Sequence, residues 1–486
     1  MSTAGPAHRV QSAVVEYGYP QGHLGHLTTE EEAAFQNFKV LCAEKGYYKP
    51  GNGDDIDPTH EDATLLRFLR ARRFVVLDAW KQFQDTEDWR KANQLDQLYE
   101  TIDLEHFEET RRLYPQWTGR RDRRGIPVYV FEVKHLNSKT MAAYEKSAVK
   151  TKTKASTDNK TSPKLLRLFA LYENLVRFVM PLCTAMTDRD HPRTPITQSN
   201  NIVDISGVGL KQFWNLRTHM QDASTLATAH YPETLDRIFI IGAPSFFPTV
   251  WGWIKKWFDP ITTSKIFIIS HSDMQKTLEA FIDPANIPVK YGGKLDFHFG
   301  DMPKLDPAYK DVLTFENETK NFPHGPMYWI HGKDNKEMEA LAVGTIDGKE
   351  RKDKVCVVKK LLAVDADVIS AQAMNGHAKL HQETLGEDLA MVPTAAPSVA
   401  NTEAETNTNV TVTAPAEQVP AAEPLMKVDV QEGDLVPASR PEPVTFVTAS
   451  EGLNTLSLNE KTGNVPNGNA HAGESKAAET PAALGN

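Results

Sequence analysis

The stretch that decides the fold is residues 231–265, which read YPETLDRIFIIGAPSFFPTVWGWIKKWFDPITTSK. At about 100° per residue, one stripe of its tryptophan-rich helix carries six apolar side chains: Phe247, Val250, Trp251, Ile254, Trp257 and Phe258. Trp253 lies off that stripe. Because Trp favours boundaries between apolar matter and water, this pattern is typical of a surface that meets acyl chains. An ordinary core helix is the alternative.

The acidity of the chain belongs to its C-terminal part. Residues 361–486 contain 17 Asp and Glu against 5 Lys and Arg, and the chain totals of 64 and 54 leave 47 acidic and 49 basic side chains before them. Beyond Trp329 the only Phe, Tyr or Trp is Phe446. Such a segment buries too little apolar surface to offset the entropy of ordering, which predicts a disordered tail.

Cysteine use and the termini predict a cytoplasmic protein that contacts membranes reversibly. Cys42, Cys183 and Cys356 are far apart and form no CxxC pair. The N-terminus lacks the apolar run of a signal peptide, and no stretch is expected to approach the roughly 20 apolar residues of a membrane span. Neither end carries a lipidation motif.

Hydrophobic periodicity predicts a helical N-terminal lobe followed by an α/β layer. Thr29 and Glu32 fit a capping box for a first helix. The remaining elements are helices over 63–72, 77–91, 165–180 and 210–227 and strands over 126–133, 202–205, 237–241 and 266–270. Alternating strands and helices are typical of a mainly parallel sheet, and the tryptophan-rich helix falls where a lid over a cavity would lie.

A lysine-rich interruption separates the first strand from its helix, with Lys146, Lys150, Lys152, Lys154, Lys160 and Lys164. A solvated loop is the ordinary explanation. Docking to an anionic leaflet is the alternative, because each lysine near such a surface gains roughly 1 kcal/mol. Nucleic-acid binding is disfavoured, since no aromatic residue interleaves with these lysines and the chain before the tail is nearly neutral.

The sequence lacks the common signatures of enzymes. Around Ser206 the G-x-S-x-G nucleophile elbow fails because Asp204 and Val208 occupy the two glycine positions. His377 and His381 have the spacing of a zinc-binding pair, but Ala378 stands where HExxH needs Glu. We therefore expect no catalysis, no metal site and no cofactor.

Five motifs occur in register: EDATLLRFLRARRF at 61–74, GIPVY at 125–129, YPE at 231–233, DPITTSKIF at 259–267 and IPVKYGG at 287–293. Over residues 28–295 they resemble the CRAL-TRIO lipid-binding proteins, and among these the phosphatidylinositol/phosphatidylcholine transfer proteins. The resemblance implies a helical lobe over 28–95 and a lipid-binding domain over 96–295, with a sheet floor and a gating helix at residues 247–258. A flexible leader over 1–27, a small extension over 296–360 and the acidic disordered tail over 361–486 complete the expected organisation.

The resemblance implies a phosphoinositide site made of Arg72, Arg73, Glu233, Thr262 and Lys265. Lys265 and Thr262 would meet the phosphate as a point charge and a hydroxyl donor. The arginines would add forked guanidinium groups, and Glu233 would orient inositol hydroxyls or hold an arginine in place. Taken singly, each residue also fits a structural role as a surface arginine, a cap, a turn residue or the residue before a strand.

The resemblance indicates phosphatidylcholine less firmly. Tyr129 and Tyr172 match tyrosines of a choline pocket, where an aromatic face attracts a quaternary ammonium, although ordinary core tyrosines would look the same. Ser199 matches a serine near the phosphate. Asn201 stands where the related proteins carry a threonine, which leaves the second lipid open.

The function implied is exchange of phosphatidylinositol between membranes, with the bound phospholipid as ligand and the tryptophan-rich helix opening on a transient membrane surface. Golgi or endosomal membranes are expected from the resemblance. One alternative is a lipid-gated scaffold that recruits a protein partner through the extension and the tail, without net transfer. Another is a neutral ligand on the same fold, which the charged residues at the site argue against.

Overall fold

A computed structural model describes most of the chain before the tail. The described residues are 18–51, 57–257, 260–316, 318, 320–332 and 337–359. The predicted disordered tail over 361–486, with His377 and His381, lies outside the described residues, as do residues 1–17 and Phe258.

Five helices open the structure: α1 Thr29–Glu44, α2 Asp62–Ala71, α3 Val76–Ala92, α4 Leu95–Thr101 and α5 Leu104–Arg111. The first three pack around Phe35, Phe38, Phe68 and Phe83, each at most 2% exposed. The predicted N-terminal helices are confirmed. The sequence patterns did not predict α4 and α5, which are short.

The capping box of α1 starts one residue earlier than predicted. Thr28 Oγ1 accepts a hydrogen bond from the Glu31 backbone at 3.2 Å, and Glu31 Oε2 accepts one from the Thr28 backbone at 2.9 Å. The run TTEEE fits the capping pattern in two frames, so the pattern alone could not choose between Thr28 and Thr29.

A five-stranded sheet forms the centre of the fold. Its strands, in spatial and sequence order, are β1 Gln116–Arg121, β2 Pro127–Glu132, β3 Ser199–Asp204, β4 Leu235–Ile241 and β5 Ile266–Ile269. Strands β1 and β2 are antiparallel, and each later pair is parallel. The predicted α/β fold with a mainly parallel sheet is confirmed. We did not predict β1, whose sequence QWTGRR has no apolar alternation.

Helices connect and cover these strands. They are α6 Ser138–Ala148, α7 Pro163–Asn174, α8 Met180–Ala185, α9 Leu210–His230, α10 Phe247–Ile254, α11 Pro260–Ser264 and α12 Met274–Glu279. A π-helical turn, Leu175–Val179, joins α7 to α8. The 3₁₀ turns are Val133–His135, Lys255–Trp257, Pro284–Asn286 and Val289–Tyr291.

The continuous helix Pro163–Ala185 corrects the expectation that no stretch approaches a membrane span. It has 23 residues and a mean hydropathy of 1.2 in its most apolar window, so by length and composition it is able to cross a membrane. It lies within the fold, however, with Phe169 and Phe178 buried. Glu173 on the same helix accepts hydrogen bonds from Arg90 at 2.6 Å and Tyr231 at 2.5 Å. A helix buried on most sides is apolar all round, which the composition of a membrane span also requires.

Residues after 296 form a second, antiparallel sheet with strand order β6-β9-β8-β7. Its elements are α13 Tyr309–Val312, β6 Leu313–Phe315, β7 Met327–His331, β8 Glu337–Ile346 and β9 Lys349–Lys359. The Trp329 indole stacks on Phe178 at 5.7 Å and donates to its backbone carbonyl at 2.9 Å. The predicted small extension therefore shares a core with the helix Pro163–Ala185.

Residues 18–27 do not behave as part of a flexible leader. Tyr19 is 7% exposed and His23 is 2% exposed. The Tyr19 hydroxyl donates to the Thr194 carbonyl at 3.2 Å and accepts from Arg189 at 2.7 Å. Helix and strand periodicity in the sequence could not predict these hydrogen bonds between Tyr19 and residues far along the chain.

Candidate functional site

One face of the five-stranded sheet is closely packed along its centre. Successive strand residues point to opposite sides, so alternate positions share a face. On this closed face, a row in register across four strands is between 0 and 5% exposed: Val130, Ile202, Phe239 and Phe267. It forms one hydrophobic core with α12 and the segment that follows it.

The opposite face keeps accessible apolar surface. Its row consists of Phe131, Val203, Ile240 and Ile268, again in register across the four strands. Phe131, Val203 and Ile268 are half-buried, and Ile240 is 8% exposed. Protein interiors are normally close-packed, so the exposed apolar area on this open face leaves room for an apolar ligand.

Three helices contribute half-buried apolar side chains to the same hydrophobic cluster as the open face. These side chains are Tyr172 on α7, Met220, Ala223 and Leu226 on α9, and Trp251 on α10. We call the half-buried apolar surface of these helices and of the open face the apolar cleft. Its chemistry suits acyl chains.

The helix predicted as a gate is α10, which continues into the 3₁₀ turn Lys255–Trp257. From the predicted stripe, Phe247, Val250 and Ile254 are buried and Trp251 is half-buried. Trp253, predicted off the stripe, is 43% exposed. The Trp257 side chain and Phe258 lie outside the described residues.

Gly242 joins β4 to the segment that leads into α10. Its φ is +70°, and a Cβ atom at this position would lie 1.9 Å from Ser206 Oγ. Only glycine fits this close approach without strain. The backbone therefore turns sharply between β4 and α10, the helix that borders the cleft.

Lys265 and Glu233 meet where the parallel strands begin. Lys265 is 4% exposed, and its Nζ lies 3.3 Å from Glu233 Oε2 and donates to the Leu235 carbonyl at 3.0 Å. The Lys265 carbonyl accepts from the Ile238 backbone at 3.0 Å, which ties the lysine to the sheet. Glu233 has a φ of 58°, an uncommon left-handed conformation that costs on the order of 1–3 kcal/mol and is often found at functional sites.

A second cation, Arg70 on α2, contacts the same carboxylate. Its Nη2 lies 3.4 Å from Glu233 Oε2. Burial by itself would raise the pKa of Glu233, but the charges of Lys265 and Arg70 outweigh burial and lower that pKa to about 2. Glu233 is therefore ionised at neutral pH and shared between two positive groups.

Arg70 is the site residue that the sequence analysis missed. The structure places Arg72 at the C-cap of α2, half-buried, and Arg73 beyond it, exposed with a φ of 52°. The arginine that Glu233 holds is thus two residues before Arg72 and three before Arg73. The sequence did contain a signal for Arg70. Arg67 and Arg70 are three residues apart within an apolar helix and therefore face the same buried side.

Thr262 lies on α11 and is half-buried. Its carbonyl accepts a hydrogen bond from the Lys265 backbone at 3.2 Å. Of the five predicted phosphoinositide residues, the structure thus brings together Glu233, Thr262 and Lys265.

The predicted choline residues fall into two groups. Asn201 Nδ2 donates to Ser199 Oγ at 3.2 Å, Ser199 Oγ donates to the Thr234 carbonyl at 3.1 Å, and Tyr129 faces Asn201 across the β2–β3 register. Tyr172 instead packs on Tyr231, with ring centroids 5.0 Å apart, and burial raises its pKa to about 12. Tyr129 packs in a different core cluster, so the two tyrosines lie in separate parts of the core.

The lysine-rich interruption forms a surface segment. Lys146, Lys150, Lys152, Lys154 and Lys160 are exposed, and Lys164 is half-buried. Lys164 pairs with Glu145 at 2.5 Å, and Lys154 pairs with Glu350 of β9. The ordinary explanation, a solvated loop, fits these contacts.

Two exposed tryptophans lie beside the cleft. Trp253 of α10 and Trp214 of α9 are 43% and 54% exposed, and their rings meet edge to face at 5.8 Å. Lys255 and Lys256 are exposed on the adjacent turn, and Arg217 lies over the Trp214 ring at 5.0 Å. Aromatic and basic groups together suit the boundary of an anionic bilayer.

Among the described residues, no group of three His, Cys, Asp or Glu side chains is arranged to hold a metal ion. The three cysteines are buried and unpaired. Burial raises the pKa of the Cys183 thiol to about 11. Such a thiol is a poor nucleophile at neutral pH.

The sequence matches the CRAL/TRIO N-terminal domain family over residues 34–85 and the CRAL/TRIO domain family over residues 111–293. A crystal structure of Sfh5 covers 58% of this chain and 93% of that chain, with 16% identity and a TM-score of 0.41.

Three curated relatives are similar over about half of this chain or more. The SEC14 cytosolic factor of Yarrowia lipolytica is 32% identical over 60% of this chain and 54% of its own length. The SEC14 cytosolic factor of Eremothecium gossypii is 31% identical over 57% of this chain and 80% of its own length. The phosphatidylinositol/phosphatidylcholine transfer protein SFH7 of Arabidopsis thaliana is 34% identical over 49% and 41%. On these matches, the chain belongs to the CRAL-TRIO family.

Proposed function

We propose that the protein binds phosphatidylinositol and exchanges it between membranes without covalent chemistry. The observation that carries the proposal is the position of Lys265. Its buried ammonium group and the Glu233 carboxylate lie just before two of the strands whose open face keeps accessible apolar surface. A ligand with an anionic, hydroxyl-rich head and apolar tails fits both features. A relative named as a phosphatidylinositol/phosphatidylcholine transfer protein supports this choice.

In this proposal, affinity and selectivity come from different parts of the site. Burying acyl chains against the open face contributes about 25 cal/mol per Å² of apolar surface, whatever the head group. Lys265 meets the phosphate as a charged donor, Thr262 adds a hydroxyl, and Glu233 accepts from inositol hydroxyls. Arg72 and Arg73 remain proposed contacts at the end of α2. Head-group contacts thus decide which lipid stays bound.

Phosphatidylcholine is the proposed second lipid, through Tyr129, Tyr172, Ser199 and Asn201. The Ser199 hydroxyl already donates to the Thr234 carbonyl, so it offers its lone pairs and not its proton. Asn201 retains a second amide hydrogen for a phosphate oxygen. We expect choline-lipid exchange to be weaker than inositol-lipid exchange for this reason.

Exchange requires a membrane contact and an opening. We propose that α10 moves away from the sheet at a bilayer surface, with Gly242 at its base and Trp253 at the interface. The protein would act in the cytoplasm and bind membranes peripherally, in line with relatives named cytosolic factors. A protein partner recruited by the tail over 361–486 is the competing proposal.

The test is native mass spectrometry of the full chain after purification, followed by a vesicle-to-vesicle transfer assay. Phosphatidylinositol should be found on the parent protein and lost from Lys265→Ala, whereas Lys276→Ala, an exposed lysine on α12, should retain it. A neutral lipid on the parent would overturn the head-group assignment. Stoichiometric phosphatidylinositol with negligible transfer would favour the scaffold.

A further inference from the structure

The cluster of Arg70, Glu233 and Lys265 contains more positive than negative charges. Lys265 and Arg70 each carry a positive charge, and both contact the same carboxylate oxygen, at 3.3 Å and 3.4 Å. The three groups therefore sum to one positive charge. If Lys265 and Glu233 stood alone, the pair would be neutral and would attract an anion weakly.

The N-terminal segment holds Arg70 in this position. Arg70 Nη1 donates to His23 Nε2 at 3.1 Å, and His23 Nδ1 donates to the Gln21 carbonyl at 3.0 Å. The contact with Arg70 requires the neutral imidazole, since an imidazolium has no free lone pair to accept with. Burial and the neighbouring Arg70 charge lower the pKa of His23 to about 3. His23 therefore orients the arginine without changing the charge of the cluster.

We propose that Arg70 sets the net charge of the head-group site and thereby selects a phosphodiester over a lipid that also carries a phosphomonoester. This inference rests on the proposed function and names the specificity-determining residue of that same site. A phosphodiester carries one negative charge, which matches the single positive charge of the cluster. Arg70 acts through Glu233, by preventing that carboxylate from neutralising Lys265.

The same carboxylate explains why more highly charged head groups are disfavoured. A phosphate monoester on the inositol ring adds roughly 1.5 to 2 negative charges at neutral pH. With one net positive charge and an ionised Glu233 in the cluster, this additional charge is repelled there and left unpaired. Arg67, which donates to the Pro232 carbonyl at 3.2 Å, and Arg72 and Arg73 at the end of α2 keep their charges in every variant and contribute a constant background.

Each variant changes the net charge of the cluster by a known amount, which makes the test specific. The full chain and its variants are incubated with vesicles containing equal amounts of phosphatidylinositol and phosphatidylinositol 4-phosphate, and bound lipid is quantified by mass spectrometry. Arg70→Gln makes the cluster neutral and should lower phosphatidylinositol occupancy at least about tenfold. Glu233→Gln raises the cluster to two positive charges and should shift the bound lipid towards the monophosphate. Arg112→Gln, an exposed arginine paired with Glu105, is the matched control and should behave as the parent.

The decisive variant combines Arg70→Gln with Glu233→Gln, which restores one positive charge. It should bind more phosphatidylinositol than Arg70→Gln, although it lacks the Glu233 carboxylate that accepts from inositol hydroxyls. The charge-conserving Arg70→Lys should recover the parent's preference, and it also serves if Arg70→Gln melts at a lower temperature than the parent. If Arg70→Gln retains phosphatidylinositol, or if the double variant is as deficient as Arg70→Gln, the charge role is wrong. A parent protein that carries no phosphatidylinositol would instead defeat the proposed function itself.

Discussion

The closed and open faces of the five-stranded sheet are built from the same strands and have opposite properties. Phe239 and Ile240 are neighbours on β4, yet Phe239 lies in a fully packed row and Ile240 in a row whose other members are half-buried. Both rows are purely apolar. The comparison shows that apolar strand residues serve two purposes here, since one row stabilises the fold and the other leaves accessible surface for a ligand.

Substitutions on the two faces should differ most in their effect on the free energy of unfolding. Phe239→Ala removes a ring that is 0% exposed and leaves a cavity, so we expect a loss of about 3–5 kcal/mol in the free energy of unfolding. Val203→Ala, on the open face, should cost less than about 1.5 kcal/mol because its side chain is only half-buried. Urea unfolding monitored by circular dichroism measures both. Equal losses would mean that the two faces are packed alike.

The ion cluster around Glu233, just before the parallel strands β4 and β5, should be sensitive to acid. The pKa of Glu233 is lowered to about 2 in the folded protein from an ordinary 4.5, so its stabilising contribution is present above pH 4.5 and is lost as the pH falls towards 2. Between pH 6 and pH 3 the parent should lose on the order of 2 kcal/mol more than Glu233→Gln. Urea midpoints across this range measure the difference. Parallel pH profiles for the two proteins would show that the ion cluster adds no stability.

Adjacent positions on β3 sharpen the comparison further. Val203→Phe adds volume to the open face, where it should displace an acyl chain and lower lipid occupancy about tenfold, which corresponds to about 1.4 kcal/mol. Ile202→Phe makes a similar enlargement on the closed face and should instead cost about 1–3 kcal/mol of stability through overpacking. Lipid extraction and thermal melting of the two variants separate these effects. Normal lipid content in a folded Val203→Phe protein would place the acyl chains elsewhere.

The alternating α/β pattern and the apolar character of the central strands were predictable from sequence. The difference between the two faces was not, because FII at 239–241 and IFII at 266–269 are apolar at every position. Periodicity reports which residues avoid water and does not report whether the facing helices fill the space. The pairing of Arg70 with Glu233 was missed for a related reason: it joins residues 163 positions apart in the chain, and the family motif directs attention to Arg72 and Arg73.

The charged start of the last strand was equally hard to foresee. Strand β9 begins KERKDK, a charged and mostly exposed run that reads as a loop or a polar helix. It becomes a strand because β8 pairs with it from Ile346↔Lys349 to Glu337↔Lys359. Tertiary pairing thus overrides the local preference of the residues.

The smallest effect on stability should come from the exposed rim of the open side. Trp253 is 43% exposed, so Trp253→Ala should change the free energy of unfolding by less than about 1 kcal/mol. If the cleft opens at a bilayer, the same change should weaken binding to anionic vesicles several-fold, because an interfacial indole is lost. Val40→Ala, 57% exposed on α1, is the matched control and should bind vesicles as the parent does. Equal binding by both variants would move the membrane contact away from α10. Reduced binding by Trp253→Ala alone would link the accessible face of the sheet to the surface from which its ligand arrives.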